Sequence, residues 1–181
     1  MGAPDPMNDL DFTSLAVLPA VKRESIILPE TEIGAGVAGG NFVFYTRGAA
    51  RPAPASPDSP VLVVEDDADT RRLLERVVKL ERLPVRTASD SREFAQLIRT
   101  PPLPRLVLLD LELPRVNGFK ILSLIRQQPQ TSAIPVVMVT GHTDNKHILQ
   151  AMALGADGYL SKPVTVATLR AALVRLLPGA R

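Results

Sequence analysis

Acidic, hydroxyl and amine side chains follow four short apolar runs of this sequence. Glu65-Asp66-Asp67 follows the first run, Asp110 the second, Thr140 the third and Lys162 the fourth. Carboxylates that lie close together repel one another unless a cation lies between them, and hard oxygen ligands of this kind suit Mg²⁺. A carboxylate nucleophile, a metal ion, an ammonium group and a hydroxyl are the parts needed to accept a phosphoryl group as an acyl phosphate.

Buried strands must carry these groups to one place. The central apolar run is 106–109, bounded by Pro104 and by the segment from Pro114 to Gly118. This pattern predicts a strand covered on both faces, as in a parallel sheet, with Asp110 at its carboxyl edge. In open α/β sheets, ligands gather at that edge. Further strands are predicted at 61–64, 84–87, 135–139 and 159–161.

Helical patterns alternate with these strands from Val61 onward. The predicted helices are 69–80, one capped by Asp90 or Ser91, one that opens at Gly118, one from Asp144 to Leu154 and one capped by Thr165. Gly155 is expected to end the fourth helix in a left-handed conformation. Five strands, each followed by a helix, imply an α/β fold with a parallel sheet and right-handed crossovers. All the polar strand ends should therefore share one edge.

The first sixty residues differ in composition from the rest. We divide the chain into an N-terminal extension (1–48), a proline-rich linker (49–60) and a main domain (61–181). Ser25–Leu28 and Asn41–Thr46 are predicted strands with glycines between them, which allows a hairpin. Because an isolated hairpin is only marginally stable, it should pack on the main domain, pair with another chain or stay mobile. Pairing of the aromatic-rich 41–46 strand across chains would make a homodimer.

Composition limits the classes of partner. The formal net charge is +2, and the sequence has no dense Lys/Arg block with interleaved aromatics, which gives nucleic-acid binding no support. The chain has no cysteine, which rules out disulfides and thiolate metal sites and suits a reducing cytoplasm. No apolar run approaches the roughly 20 residues of a membrane span. We therefore expect a cytoplasmic protein without nucleic-acid or membrane partners.

Residues 61 to 177 resemble the receiver domain of bacterial two-component response regulators. Four motifs carry the resemblance: Val61-Leu-Val-Val-Glu-Asp-Asp67 with Arg71, Leu108-Leu-Asp-Leu-Glu-Leu-Pro114 with Gly118, Val137-Met-Val-Thr-Gly141, and Gly155-Ala-Asp-Gly-Tyr-Leu-Ser-Lys-Pro163. Their order and spacing make the set far more specific than any single motif. The resemblance implies a flavodoxin-like, doubly wound sheet of strand order 2-1-3-4-5. It does not cover residues 1–60.

The resemblance also implies a chemical role for each site residue. Asp110 would be the phosphoacceptor. Mg²⁺ or Mn²⁺ would be bound by Glu65, Asp66, Asp110 and the backbone carbonyl of Glu112. Glu65 replaces the more frequent aspartate, and its extra methylene would force a water between the carboxylate and the metal. Lys162 would form an ion pair with the phosphoryl group.

Four further positions are implied to control the response. Thr140 would hydrogen-bond the phosphoryl group. Tyr159 would be the switch aromatic, which turns inward when Thr140 engages the phosphoryl group. Glu112 and His142 flank the site and would tune hydrolysis of the acyl phosphate. The Lys162–Pro163 peptide bond would be cis. His147 is interpreted as a surface residue, and the basic residues Arg71, Arg72, Arg76 and Lys79 as the solvated face of the first helix.

The expected function is that of a phosphorelay receiver. Asp110 would take a phosphoryl group from the phosphohistidine of a sensor histidine kinase or His-phosphotransfer protein, and the new charge would change a protein-binding face. Self-phosphorylation and slow self-dephosphorylation are expected rather than conventional enzyme turnover. No output domain follows the last helix in this sequence, so the signal should pass to an unknown downstream protein, or the sequence is a fragment of a longer chain.

Two other functions remain open from the sequence. The first is a phosphorylation-independent interaction module, a pseudo-receiver that keeps the fold without the chemistry. The intact set of Asp110, Lys162 and neighbouring acids argues against it. The second is a Mg²⁺-dependent phosphohydrolase, because Asp110-x-Glu112 is loosely similar to the motif of enzymes with an Asp nucleophile. No substrate-binding insertion is evident, so this function ranks last.

Overall fold

Nine strands and five helices make up the part of the chain that a computed structural model describes, residues 33–34, 42–45, 56 and 58–177. The strands are β1 (Ile33–Gly34), β2 (Phe42–Tyr45), β3 (Val61–Val64), β4 (Val85–Ala88), β5 (Leu106–Asp110), β6 (Glu112–Leu113), β7 (Val116–Asn117), β8 (Val136–Thr140) and β9 (Gly158–Ser161). The helices are α1 (Ala68–Leu80), α2 (Ser91–Leu97), α3 (Gly118–Gln127), α4 (Asn145–Leu154) and α5 (Val166–Leu176).

Five parallel strands form the centre of the fold. They lie in the order β4-β3-β5-β8-β9, which is 2-1-3-4-5 when the parallel strands are numbered along the chain. The predicted flavodoxin-like fold is therefore confirmed. Every residue of β3, β5 and β8 is buried, as expected of strands that helices cover on both faces.

The main core lies between the sheet and the helices α1 and α5. It is made of alternate strand residues and the apolar faces of the two helices, among them Val61, Val63, Leu108, Val139, Leu74, Val78, Leu169 and Leu173. Alternation follows from the two-residue period of a strand, which directs every second side chain to the same face. This core holds the strands in one register and so sets the positions of the residues that follow them.

Polar side chains cap the helices at the ends predicted from sequence. Asp90 caps α2, because its carboxylate accepts hydrogen bonds from the backbone of the first turn. Asp144 is the N-cap of α4, and Thr165 forms a capping box with Thr168 at the start of α5. Gly155 ends α4 with φ of 99°, the left-handed conformation that glycine adopts without strain.

Two more strands extend the sheet beyond β9. β2 pairs antiparallel with β9, and β1 pairs antiparallel with β2, so that the sheet has seven strands. The prediction of a strand at 41–46 is confirmed for residues 42–45, which pair with the main domain of their own chain. The hairpin partner of β2 is Ile33–Gly34 rather than 25–28, a segment that lies outside the described residues. Among the described helices, none is both long and apolar enough to cross a membrane.

Candidate functional site

The carboxyl ends of the parallel strands meet at one edge of the sheet. Leu109 lies opposite Val64, and Ser161 lies opposite Thr140 in the parallel register. The residues that follow or end these strands are therefore neighbours in space, although almost one hundred residues separate the first from the last. The polar residues brought to this edge are Glu65, Asp66, Asp110, Thr140 and Lys162.

Lys162 links the two buried acids of the site. Its Nζ donates a hydrogen bond to Glu65 Oε1 at 2.9 Å and lies 3.2 Å from Asp110 Oδ2. The side chains of Glu65 and Asp110 are 0% and 2% exposed, whereas that of Lys162 is 26% exposed. The ammonium group therefore contacts both buried acids and offsets part of their charge.

Burial controls the protonation of this group of residues. Loss of solvation raises the pKa of Glu65 to about 7, and the nearby charge of Asp110 acts in the same direction, while Lys162 partly opposes the change. For Lys162, burial acts to lower the pKa, but the hydrogen bond to Glu65 and the charge of Asp110 outweigh it, and the pKa is raised. The site thus holds two buried acids and one ammonium, and another cation would favour the ionised form of both acids.

The acids fit a divalent metal ion. One carboxylate oxygen each from Glu65, Asp66 and Asp110 lies within 4.8 Å of the others. Oδ1 of Asp110 is buried and has no hydrogen-bond partner among the described residues, which is costly unless another group satisfies it. Asp66 is exposed, so that solvent waters can reach an ion here, and Mg²⁺ retains several waters when it binds to proteins.

Arg71 holds the acidic loop in place, a role that the sequence interpretation missed. Its Nη1 donates to the carbonyl oxygens of Glu65 at 2.8 Å and of Asp66 at 2.9 Å. The helical pattern places Arg71 on the solvated face of α1, but its side chain reaches back over the loop that precedes the helix. The signal in the sequence was its place in the first turn of a helix that directly follows three acids.

The start of α3 packs tightly against the strand that carries Asp110. The Gly118 amide donates to the carbonyl oxygen of Leu111 at 2.9 Å. A Cβ at Gly118 would overlap the carbonyl oxygen of Asp110 and lie 2.9 Å from the Cα of Leu111. Only glycine allows this approach without movement of the backbone next to Asp110.

We therefore expect Gly118→Ala to lower the free energy of unfolding by about 1–3 kcal/mol, because an extra methyl group is forced into filled space. Urea denaturation measures the change. The matched control is Gly141→Ala, since apart from its chain neighbours a Cβ at Gly141 would meet no described atom within 4 Å. Equal stability of the two variants would contradict the assigned role of Gly118.

A chain of hydrogen bonds joins Thr140 to Tyr159. The backbone N–H of His142 donates to Thr140 Oγ1 at 3.1 Å, and the Tyr159 hydroxyl donates to the carbonyl oxygen of His142 at 2.7 Å. Tyr159 is 1% exposed, so its ring lies inward in this structure, and burial raises its pKa to about 12. Both predicted switch residues therefore contact the same short loop between β8 and α4.

The two positions predicted to tune hydrolysis contact each other. Nε2 of His142 lies 3.0 Å from Oε1 of Glu112. Both side chains are at least partly exposed at the rim of the site, His142 in the loop after β8 and Glu112 at the start of β6. The Lys162–Pro163 peptide bond is cis. The predicted site residues thus lie at the carboxyl ends of four parallel strands, β3, β5, β8 and β9, or directly after them, except Tyr159, which lies within β9.

Comparison with known proteins agrees with the fold described above. The family model described as "Response regulator receiver domain" matches residues 61–174. Among solved structures, chemotaxis protein CheY4 of Vibrio cholerae is 28% identical with a TM-score of 0.62, and the match covers 66% of this chain and 98% of that chain. The matched part of our chain is the parallel sheet with its helices.

Two curated relatives are regulatory proteins by name. The alkaline phosphatase synthesis transcriptional regulatory protein SphR of Synechococcus elongatus is 36% identical over 120 residues, which cover 62% of this chain and 46% of that protein. The DNA-binding response regulator MtrA of Mycolicibacterium paratuberculosis is 35% identical over 119 residues, which cover 64% of this chain and 51% of that protein. This chain spans about half the length of these relatives, and the expected absence of nucleic-acid partners stays untested.

The motifs, the fold and the family match agree, and the chain belongs to the response regulator receiver domain family.

Proposed function

We propose that this protein accepts a phosphoryl group on Asp110 and thereby changes a protein-binding face. The observation that supports this most directly is the buried pair of Asp110 and Glu65 with Lys162 at 3.2 and 2.9 Å. A buried carboxylate with a free oxygen can attack phosphorus, and the nearby ammonium offsets the charge that the incoming oxygens bring.

The phosphoryl donor is the phosphohistidine of a sensor histidine kinase or a His-phosphotransfer protein. A carboxylate oxygen of Asp110 attacks the phosphorus, the bond between phosphorus and imidazole nitrogen breaks, and the imidazole leaves and takes up a proton. Lys162 pairs with the transferred group. Later attack by water on the acyl phosphate restores the carboxylate and releases inorganic phosphate, which resets the protein without an external substrate.

Glu65, Asp66, Asp110 and the backbone carbonyl of Glu112 are the groups that would hold Mg²⁺ or Mn²⁺. The chemistry that such an ion supplies is neutralisation of charge on the transferring oxygens. Arg71 keeps the acids in position through the backbone carbonyls of residues 65 and 66. Because Glu112 and His142 lie at the rim, they control how water approaches the acyl phosphate and so its lifetime.

Thr140 and Tyr159 transmit the change. The hydroxyl of Thr140 hydrogen-bonds the phosphoryl group, and movement of Thr140 alters its contact with the backbone of His142. The Tyr159 hydroxyl holds the carbonyl oxygen of His142, so the loop before α4 and the ring of Tyr159 move together. The result is a shift of α4 and α5 between two arrangements, one of which binds the downstream protein.

The test is Mg²⁺-dependent labelling by a small phosphodonor, followed by intact mass, or binding of beryllofluoride. The receiver predicts addition of one phosphoryl group that requires the metal. A phosphorylation-independent interaction module, the alternative function, would bind its partner equally well without label and show no Mg²⁺ affinity at the acids. We place this reaction in the cytoplasm, where a phosphohistidine donor is available.

A homodimer is a further proposal, supported by the strand order at the edge of the sheet. β2 pairs with β9 through the register Val43↔Tyr159, and the same pairing can form between two chains that exchange their N-terminal segments. Deletion of residues 1–60 should then reduce the solution mass from dimer to monomer in light scattering. An unchanged mass would contradict strand exchange.

A further inference from the structure

Both histidines of the chain lie together at the start of α4. The rings of His142 and His147 are stacked, with centroids 4.4 Å apart and planes 19° apart. Asp144, the N-cap of α4, has Oδ2 at 2.5 Å from Nδ1 of His147. One ligand atom from each of the three residues lies within 4.8 Å of the other two. This group, His142, Asp144 and His147, is named the histidine cluster.

The histidine cluster differs chemically from the acidic site. Two imidazoles and one carboxylate suit the borderline ion Zn²⁺, which binds nitrogen ligands well, whereas the oxygen ligands of Glu65, Asp66 and Asp110 suit Mg²⁺. We propose that the histidine cluster is a second metal site, that it binds Zn²⁺, and that water fills the fourth ligand position.

Neighbouring side chains support the two imidazoles. Oε1 of Glu112 is 3.0 Å from Nε2 of His142, a contact that orients the ring and leaves Nδ1 for the ion. The ring of Phe119 stacks on His147 at 6.2 Å between centroids. Carboxylates that hydrogen-bond the second nitrogen of a ligating histidine are a regular feature of zinc sites, and their loss weakens binding 10- to 100-fold.

Zn²⁺ binding requires small movements that the site allows. The ion takes the place of the proton between His147 and Asp144, and their nitrogen and oxygen must separate to roughly 3.3 Å, as two bonds of about 2.0–2.1 Å at a tetrahedral angle require. The imidazoles must rotate out of the parallel stack so that their lone pairs converge. The side chains of His142 and His147 are 39% and 29% exposed, so solvent-facing space is available for this rotation.

The histidine cluster also contacts the proposed switch. The backbone N–H of His142 donates to Thr140, and its carbonyl accepts from Tyr159. An ion on the side chain of His142 therefore fixes the loop in its present arrangement. If Asp110 is the phosphoacceptor, as proposed above, its phosphoryl group favours the same inward position of Tyr159, and Zn²⁺ and beryllofluoride each strengthen binding of the other by the same factor.

Equilibrium binding of Zn²⁺ to the full chain, measured against a chromophoric chelator, tests the site. The background is the double variant Asp66→Asn, Asp110→Asn, which lacks two acids of the Mg²⁺ site and cannot be labelled, so that the result does not depend on the proposed function. We expect one Zn²⁺ per chain in this background. In this background, a further His142→Ala or His147→Ala substitution should weaken Zn²⁺ binding at least tenfold. A further Glu112→Gln substitution should weaken it about tenfold.

Nuclear magnetic resonance of the histidine Cε1 protons gives a second readout in the same background. Both resonances should shift or broaden when one equivalent of Zn²⁺ is added and should not respond to Mg²⁺. Circular dichroism shows whether each histidine variant keeps its helices. Absence of Zn²⁺ binding in the double variant, or binding that both histidine substitutions leave unchanged, would overturn the proposal.

Discussion

Substitution of Asp110 by asparagine is expected to reduce Mg²⁺-dependent labelling by a small phosphodonor to the background of the assay. An amide oxygen is a much poorer nucleophile than a carboxylate oxygen, and the substitution also removes one charged oxygen from the metal site. The side chain of Asp110 is 2% exposed and contacts Lys162, surroundings that an exposed acid does not have. Intact mass after incubation with acetyl phosphate and Mg²⁺ measures the loss.

The matched control for charge is Asp69→Asn. This substitution removes the same negative charge from a carboxylate that is 92% exposed and pairs with Arg72 on the surface of α1. It should label to the same extent as the unaltered protein. Urea denaturation of both variants separates a loss of chemistry from a loss of fold. An Asp110→Asn protein that still takes up one phosphoryl group would place the phosphoacceptor elsewhere and end the proposal.

The second large effect is on stability. Lys162→Met should lower the free energy of unfolding of the metal-free protein by about 3–5 kcal/mol at pH 8, because removal of one partner leaves buried charge without compensation. The two acids concerned, Glu65 and Asp110, are 0% and 2% exposed. Methionine keeps most of the aliphatic volume of the lysine, so the loss reports on charge rather than on a cavity.

The loss should depend on pH in a defined direction. The pKa of Glu65 is about 7 in the folded protein against an ordinary value of 4.5, so the folded state binds this proton more tightly than the unfolded state. The contribution of Glu65 to stability is therefore fully present below pH 4.5 and is lost as pH rises through about 7. At pH 5 Glu65 is protonated, and Lys162→Met should cost less there than at pH 8.

Urea denaturation without metal at pH 5 and pH 8 checks both parts of this prediction. Lys79→Met is the control, since Lys79 is 63% exposed and pairs with Glu75 on the surface of α1. Such exposed pairs contribute about 0–1 kcal/mol, with little change between the two pH values. Addition of Mg²⁺ at pH 8 should recover part of the loss. A Lys162→Met protein as stable as the control at pH 8 would contradict the role of Lys162.

The N-terminal strand shows where pattern alone is insufficient. The aromatic and β-branched run at 41–46 predicted β2 correctly, because such residues favour the extended backbone. Its partner, Ile33–Gly34, is only two residues long and contains glycine. A strand of this length has no alternation of polar and apolar residues, so backbone pairing with β2 alone defines it.

The placement of the acidic site was largely predictable from the sequence. The buried runs that precede Glu65, Asp110 and Thr140 specify a parallel sheet, and parallel strands bring their carboxyl ends to the same edge whatever the loops between them. The left-handed conformation of Gly155 and the helix caps Asp144 and Thr165 were also predictable from the sequence. Each of these features depends on the backbone geometry of only one or two residues.

Tertiary structure alone decided which side chains touch. The helical pattern places Arg71 on a solvated face, but its side chain holds the carbonyls of the acidic loop. The sequence predicts that His142 tunes hydrolysis and that His147 is a surface residue, and it does not show that their rings are stacked. Helical and strand periods give the face on which a residue lies, but not the rotamer of a long side chain or the approach of two loops. The sequence by itself therefore determined the sheet and the edge at which the acids meet, and packing decided the ion pair of Lys162 with Glu65, the raised pKa that follows from burial, and the histidine cluster.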